Sequence, residues 1–129
     1  MPLVKVTCPV FPSEDPEKVK KAVMNIFPDI EPILDDNMMT GETESLEHFA
    51  EQMRKQRILD TARSVLMKGR RGNKTTFRMN KQAAFAGKIS FTEERTVLGT
   101  ISVTISADEI TGFIEEFAPK TVNGEEVLI

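Results

Sequence analysis

The 129-residue chain has no tryptophan and no tyrosine, and it has one cysteine and one histidine. With two of the three large rings missing, eight phenylalanines must supply the aromatic groups of any core. They are also the only rings able to stack on a nucleic-acid base. A single thiol excludes an internal disulfide, in keeping with a reducing compartment. Cys8 stands at an alternating position of an apolar stretch and reads as a small buried hydrophobe rather than a reactive group. One histidine and one cysteine cannot assemble a zinc site of the usual nitrogen and sulfur ligands within one chain. No apolar run approaches the roughly 18 residues that a membrane-spanning helix needs, and the opening Met-Pro-Leu-Val-Lys has no signal-like character. A cytoplasmic location is expected, where the glycosylation pattern Asn73-Lys74-Thr75 goes unused.

With 40% hydrophobic and 29% charged residues, the composition is that of one globular domain, without internal repeats or low-complexity segments. The formal net charge of −3 conceals a separation. Eleven of the seventeen Lys and Arg residues lie within 54–88, where Asp60 is the only acid. That window carries an excess of ten positive charges inside an acidic chain. A ligand responds to the local field of such a patch and not to the total, so the window is the main functional clue.

Residues 3–10 are rich in β-branched side chains and predict a first strand. Asp15-Pro16-Glu17 combines a capping side chain, a proline at the first helical position and an early acid. Val19, Ala22, Val23 and Ile26 follow at helical spacing until Pro28. A second strand is expected over 30–34, confined by Pro32 to an edge or a bulge. Residues 35–43, polar with one glycine, read as a loop. From 44 to 68 there is no Gly or Pro, and the region reads as helical. Yet Leu46, Phe49, Ala50 and Met53 share one face, whereas Ile58, Leu59, Ala62, Val65 and Leu66 centre on a face roughly 160° away at 100° per residue. Either the helix breaks near 54–56 or it is long and packs against different neighbours at its two ends. Residues 69–73 predict a turn, with glycine placed where a helix needs a left-handed terminator. Strands are expected at 75–79 and 87–91, separated by a short helical turn at 80–84. A linker at 92–96 would join the second of these to the clearest strand, 97–105, as a hairpin. Ser106-Ala107-Asp108-Glu109 has the form of a capping box before the apolar stripe Ile110, Phe113, Ile114 and Phe117. Pro119 closes that helix, and Asn123-Gly124 followed by 127–129 could add a turn and an edge strand. Mixed elements with a hairpin predict an α+β two-layer sandwich, a mostly antiparallel sheet with helices on one face.

Phosphate binding needs cationic donors on one surface. Arg54, Arg57, Arg63, Lys68, Arg70, Arg71, Lys74, Arg78, Lys81 and Lys88 span a helix, a turn and the strands after it. The turn at 69–73 would bring at least Lys68, Arg70, Arg71 and Lys74 together, and each phosphate contact would steepen the salt dependence of binding. A charge run can equally be a solvated face, or it can meet acidic surface on a second copy of the chain. Gly69-Arg70-Arg71-Gly72 matches the Gly-x-x-Gly of KH domains, but there the loop joins two helices and here a strand should follow. Gly72-Asn73-Lys74-Thr75 is not a nucleotide loop, because Asn73 stands where a Walker motif needs lysine. Catalysis has little support. His48 reads as a structural helix residue, and Asp35-Asp36 and Glu93-Glu94 as adjacent surface carboxylates rather than a metal or acid–base site.

Two stretches are distinctive. Arg54-Lys55-Gln56-Arg57-Ile58-Leu59-Asp60-Thr61-Ala62-Arg63, followed by Asn80-Lys81-Gln82-Ala83-Ala84-Phe85-Ala86-Gly87-Lys88, resembles the paired signature of a small archaeal family, uncharacterised protein family 0201. The resemblance covers nearly the whole chain. It implies RNA binding, the label such proteins carry by similarity, and a fold like that of the large-subunit ribosomal protein that holds five-S RNA. The signature residues it offers to RNA are Arg54, Lys55, Arg57, Arg63, Lys81, Gln82 and Lys88. Gln56, Asp60 and residues 83–85 could equally pack helix against sheet. The expectation is a non-enzymatic RNA-binding domain without cofactor or metal, which grips phosphates through the 54–88 window. Structured or double-stranded RNA is favoured over stacked single strands, because most of the phenylalanines belong to the core. The alternative is a homodimeric or otherwise self-associating interaction module with no nucleic-acid role.

Overall fold

In the computed structural model, residues 2–92 and 100–119 are described in full and 121–122 and 125–126 by their backbone. Glu93 and Glu94, most of the 92–96 linker, the start of the 97–105 strand, Asn123-Gly124 and 127–129 lie outside the described residues.

β1 (Leu3–Pro9) leads to α1 (Pro16–Ile26), whose Asp15 cap accepts a hydrogen bond from the Glu17 N–H at 3.0 Å. β2 (Ile33–Asp35) and β3 (Met38–Thr43) form a hairpin where a loop was expected over 35–43. The two turn residues, Asp36 and Asn37, both have positive φ, 50° and 66°, which is the type I′ geometry that matches strand twist and that short Asx side chains tolerate. The Asp-Asn pair between apolar residues was the available signal. As Pro32 required, β2 lies at the sheet edge.

The long helical region breaks. α2 (Glu47–Lys55) and α3 (Leu59–Lys68) meet at Arg57, which has φ 57°. The Ile58 N–H reaches the Met53 carbonyl at 3.0 Å and the Arg57 N–H reaches that of Arg54 at 3.1 Å, a Schellman arrangement with arginine where glycine is usual. The turn directs two apolar stripes some 160° apart in sequence phase into one core. Gln56 then secures the junction. Its Oε1 accepts from the Ile89 N–H at 2.8 Å and its Nε2 donates to the Ile89 carbonyl at 2.9 Å.

β4 (Arg70–Arg71) and β5 (Lys74–Asn80) form a second two-residue hairpin, and α4 (Lys81–Phe85) follows under an Asn80 cap. The left-handed glycine of this hairpin is Gly72, φ 60°, whereas Gly69 ends α3 with φ −85°. Residues 87–91 do not form the expected strand. Only Phe91 bridges to Met79, because the Ile89 backbone is taken by the Gln56 side chain. Nor, among the described residues, is 87–91 the hairpin partner of the last long strand. β6 (Thr100–Ser106) pairs instead with β5 on one side and β1 on the other. α5 (Ile110–Phe117) begins after Glu109 without a side-chain cap. Ser106 is paired with Leu3 and Lys74 as the last residue of β6, and so cannot serve the expected capping box. β7 (Thr121–Val122) and β8 (Glu125–Glu126) make a separate antiparallel pair.

The main sheet runs β2-β3-β1-β6-β5-β4 with every pairing antiparallel. Val4, Val6 and Cys8, Met39, Phe77 and Met79, and Ile101, Val103 and Ile105 point to the helical layer and are buried. This is the expected α+β sandwich. Phe49 lies at the centre of the core, stacked on Phe27, Phe77 and Phe117 at centroid separations of 5.4, 5.7 and 5.7 Å, with Phe113 beyond Phe117 and Phe91 edge-on to Phe77. Six of the eight phenylalanines are thus spent in one stack, each contact contributing roughly 0.5–1.5 kcal/mol beyond its buried area.

Candidate nucleic-acid interface

The basic end of the sheet is built by a close approach. The Gly69 position has no room for a Cβ, which would collide with the Thr76 carbonyl, so only glycine lets the end of α3 lie this near β5. Two bonds fix the approach: the buried Thr75 hydroxyl donates to the Leu66 carbonyl at 2.6 Å, and the Thr76 N–H to that of Gly69 at 3.2 Å. Gly72 then turns the chain so that Arg71 pairs with Lys74. The Arg70 guanidinium is held in place, its Nε donating to the Met67 carbonyl at 2.8 Å and its Nη1 to the Thr111 hydroxyl at 2.7 Å. A cation there also satisfies a carbonyl at the negative end of the α3 dipole.

A cleft of about 300 Å³ opens between α3 and the β5 edge. Lys68 from α3, Arg71 from β4 and Arg78 from β5 are the charged side chains that line it among the described residues, with Thr76 and Thr92 beside them. Lys68, Arg71 and Arg78 therefore meet at one cleft, from three consecutive elements, with Lys74 opposite Arg71 in the hairpin and Arg70 turned toward Met67 and Thr111.

The other expected cations are placed elsewhere. Arg54, Lys55 and Arg57 cluster at the α2–α3 junction, about 15 Å from the hairpin by the length of the ten-residue α3. Lys88, exposed, adjoins that junction through its neighbour Ile89. Arg63 lies between the two groups but is directed at Glu115, 3.7 Å away on α5. Gln82 is exposed on α4. Lys81 is withdrawn from the surface altogether, with only 3% of its side chain exposed. Its Nζ donates to the Pro9 carbonyl at 2.8 Å and to Glu14 at 3.1 Å, and it lies over the Phe11 ring. It locks the β1–α1 loop onto α4, a buried pair whose disruption leaves an uncompensated charge.

Cys8 is fully buried, and burial pushes its thiol up to about 11, partly offset by the nearby Lys81 ammonium. The thiol is therefore inert at neutral pH, as its position in the strand suggested. Among the described residues no group of acidic, histidine or cysteine side chains is arranged to hold a metal ion, and no helix is long and apolar enough to cross a membrane. Asp35 ends β2 and Asp36 sits in the turn.

A six-stranded antiparallel sheet with helices packed against it and a cationic hairpin at one edge defines the class, that of small α+β sandwich domains. A family model described as RNA binding matches residues 3–107. The chain belongs to the UPF0201 family. It is 43% identical to a UPF0201 protein of Methanothermobacter thermautotrophicus over 98% of both chains. It is 42% identical to a UPF0200/UPF0201 protein of Archaeoglobus fulgidus over 96% of this chain but 39% of that longer protein. The crystal structure of a UPF0201 protein from Methanococcus jannaschii superposes with a TM-score of 0.87 at 40% identity, covering 98% of this chain and 99% of the other.

Proposed function

We propose that the protein binds RNA, without catalysis or cofactor, and acts in the cytoplasm. The observation that carries this reading is the meeting of Lys68, Arg71 and Arg78 at one cleft, with Arg70 and Lys74 on the same hairpin, supported by the RNA-binding description of the matching family model. A fixed guanidinium at Arg70 and exposed cations at Arg71 and Lys74 can contact several phosphates, and Arg suits bidentate phosphate geometry. Structured or duplex RNA is the favoured form. Six phenylalanine rings are stacked in the core, Phe11 lies under Lys81, and Phe85 is the one exposed ring among the described residues, too few for a platform of stacked bases. Fluorescence anisotropy with duplex RNA, single-stranded RNA and duplex DNA over a range of salt, beside Arg70→Ala/Arg71→Ala/Lys74→Ala, tests the proposal. A steep salt slope lost in the folded variant supports it, and absence of binding at low salt refutes it.

A second reading is favoured by a different place. At the opposite edge β2 exposes Ile33 to 68% and Leu34 to 45%, apolar side chains on the last strand of the sheet among the described residues. Such an edge is a site for pairing with a second copy. Sedimentation separates the two, since a packed apolar dimer persists at salt concentrations that abolish phosphate binding.

A further inference from the structure

The sheet face turned away from the helices is lined by hydroxyls. The pairing register sets these side chains in rows across the strands. One row runs Arg78, Ser102, Thr7, Thr40 over β5, β6, β1 and β3, and a second runs Thr76, Thr104, Lys5, Glu42. A third runs Lys74, Ser106, Leu3, and the first row ends on Ile33 of β2, so apolar side chains stand at the margins of the face. The face is not uniform. Its β5 side carries Lys74 and Arg78, and its β3 side carries Glu42, which takes Lys5 at 3.6 Å. A polyanion is therefore directed to the β5–β6–β1 half.

In that half every inner position on β6 is a serine or threonine. Thr76 and Thr104 share one hydrogen bond at 3.1 Å, while the hydroxyls of Thr7, Ser102 and Ser106 have no partner among the described residues. No aromatic ring stands in these rows, so the face cannot stack bases. Strands about 4.8 Å apart and residues about 3.4 Å apart make this a shallow array roughly 10 Å by 14 Å between its cations. The ligand surface that matches shallow, closely spaced donors and acceptors bordered by phosphate is the wide minor groove of an A-form duplex, which displays ribose 2′-hydroxyls.

We propose that Thr7, Ser102 and Thr104 read the 2′-hydroxyls of duplex RNA and so set the choice of RNA over DNA, while the cationic hairpin supplies affinity that both polymers share. This inference rests on the RNA-binding reading above, and it assigns discrimination to residues outside the basic window.

The test compares one duplex sequence as RNA, as DNA and as RNA carrying scattered 2′-deoxy substitutions, by fluorescence anisotropy at fixed salt. The variant Thr7→Val/Ser102→Ala/Thr104→Val is measured beside Thr7→Val alone, which breaks no bond within the described residues, with thermal unfolding confirming that both fold. The native protein is expected to prefer RNA by about tenfold or more, the scale of one or two lost hydrogen bonds, and to weaken as 2′-hydroxyls are removed. The triple variant is expected to lose that preference through weaker RNA binding, with DNA affinity and salt slope unchanged. Equal binding of RNA and DNA by the native protein, or a preference that survives the triple variant, overturns the inference and leaves RNA binding standing. Absence of binding to any duplex overturns both. The deoxy-substituted RNA reads the native protein alone, so the answer does not depend on how well a variant folds.

Discussion

The sheet ends in two hairpins of opposite chemistry, the first with positive φ at both turn residues and the second only at Gly72. Each has a two-residue turn, Asp36-Asn37 between β2 and β3 and Gly72-Asn73 between β4 and β5. Around the first, residues 29–51 hold eight acids and no Lys or Arg; around the second, residues 68–78 hold five cations and no acid. The segments are close in sequence, yet the strand order places their hairpins at opposite edges of the sheet. They also differ in anchorage. The basic hairpin is tied to α3 and α5 through Thr75 and Arg70, whereas the acidic turn is tied only to the residue after β1, whose Val10 N–H donates to the Asn37 carbonyl at 2.8 Å; β2 and β4 are both exposed at every position. Cations on a braced hairpin are held in position before a ligand arrives, which lowers the entropic cost of binding. The charge separation is thus a separation of two edges, a cationic one braced against helices and an acidic one with exposed apolar side chains.

The comparison is broken most directly by neutralising each hairpin in turn. Arg70→Ala/Arg71→Ala/Lys74→Ala is expected to weaken RNA binding by about a hundredfold near physiological salt and to lower the magnitude of the log–log salt slope by about 2–3, one phosphate contact per cation. Asp35→Asn/Asp36→Asn removes only distant repulsion, and screening over a Debye length of about 8 Å limits its effect to a gain of less than about threefold. Anisotropy titrations at several salt concentrations measure both. Equal losses in the two variants would end the assignment of the basic edge as the binding surface.

A second pair of substitutions tests the anchorage. A Cβ at Gly69 meets the Thr76 carbonyl, which is backbone and cannot move without shifting β5; a Cβ at Gly41 meets the Cγ2 methyl of the buried Ile30, a side chain rather than backbone. Gly69→Ala is expected to cost about 2–3 kcal/mol and Gly41→Ala about 1 kcal/mol, in the range of overpacking with and without backbone displacement. Urea unfolding gives both values. Only Gly69→Ala should also weaken RNA binding, because it moves Lys68 and the hairpin apart.

Much of this architecture could be read in advance, and the failures have physical causes. β1, α1, the alternation of 100–105 and the stripe of α5 are periodic patterns that tertiary context did not override. The conflict of faces within 44–68 correctly forced two alternatives, and the Schellman turn at Arg57 resolves them. The β2–β3 hairpin was hidden because Asp36 and Asn37 act through positive φ, which a polarity pattern does not register. At 87–91 a strand-like alternation was overruled by one side chain, Gln56, occupying both backbone groups of Ile89. Lys81 was counted with the phosphate ligands because charge is visible in a sequence and burial is not. Its partner Glu14 is 67 positions away. The reverse holds for Thr7, Ser102 and Thr104, whose alignment depends on register between strands far apart in the chain.

The smallest effects lie in the turns themselves. In the acidic hairpin Asn37 has φ 66°, a conformation that costs an L-residue roughly 1 kcal/mol relative to glycine, less for Asn than for most. Asn37→Gly is therefore expected to stabilise the fold by a few tenths of a kcal/mol, part of the relieved strain being offset by the greater freedom of glycine in the unfolded chain. In the basic hairpin Gly72 has φ 60° with open space around its Cα, so Gly72→Ala meets no atom and suffers only the backbone penalty, about 1 kcal/mol of destabilisation. Thermal unfolding of the two variants measures the pair. Opposite signs are expected, because positive φ is borne by a side-chain-bearing residue at Asn37 and by glycine at Gly72. If Gly72→Ala leaves stability unchanged, the hairpin does not need its turn, and the bonds from Thr75 and Arg70 hold the cations in place on their own.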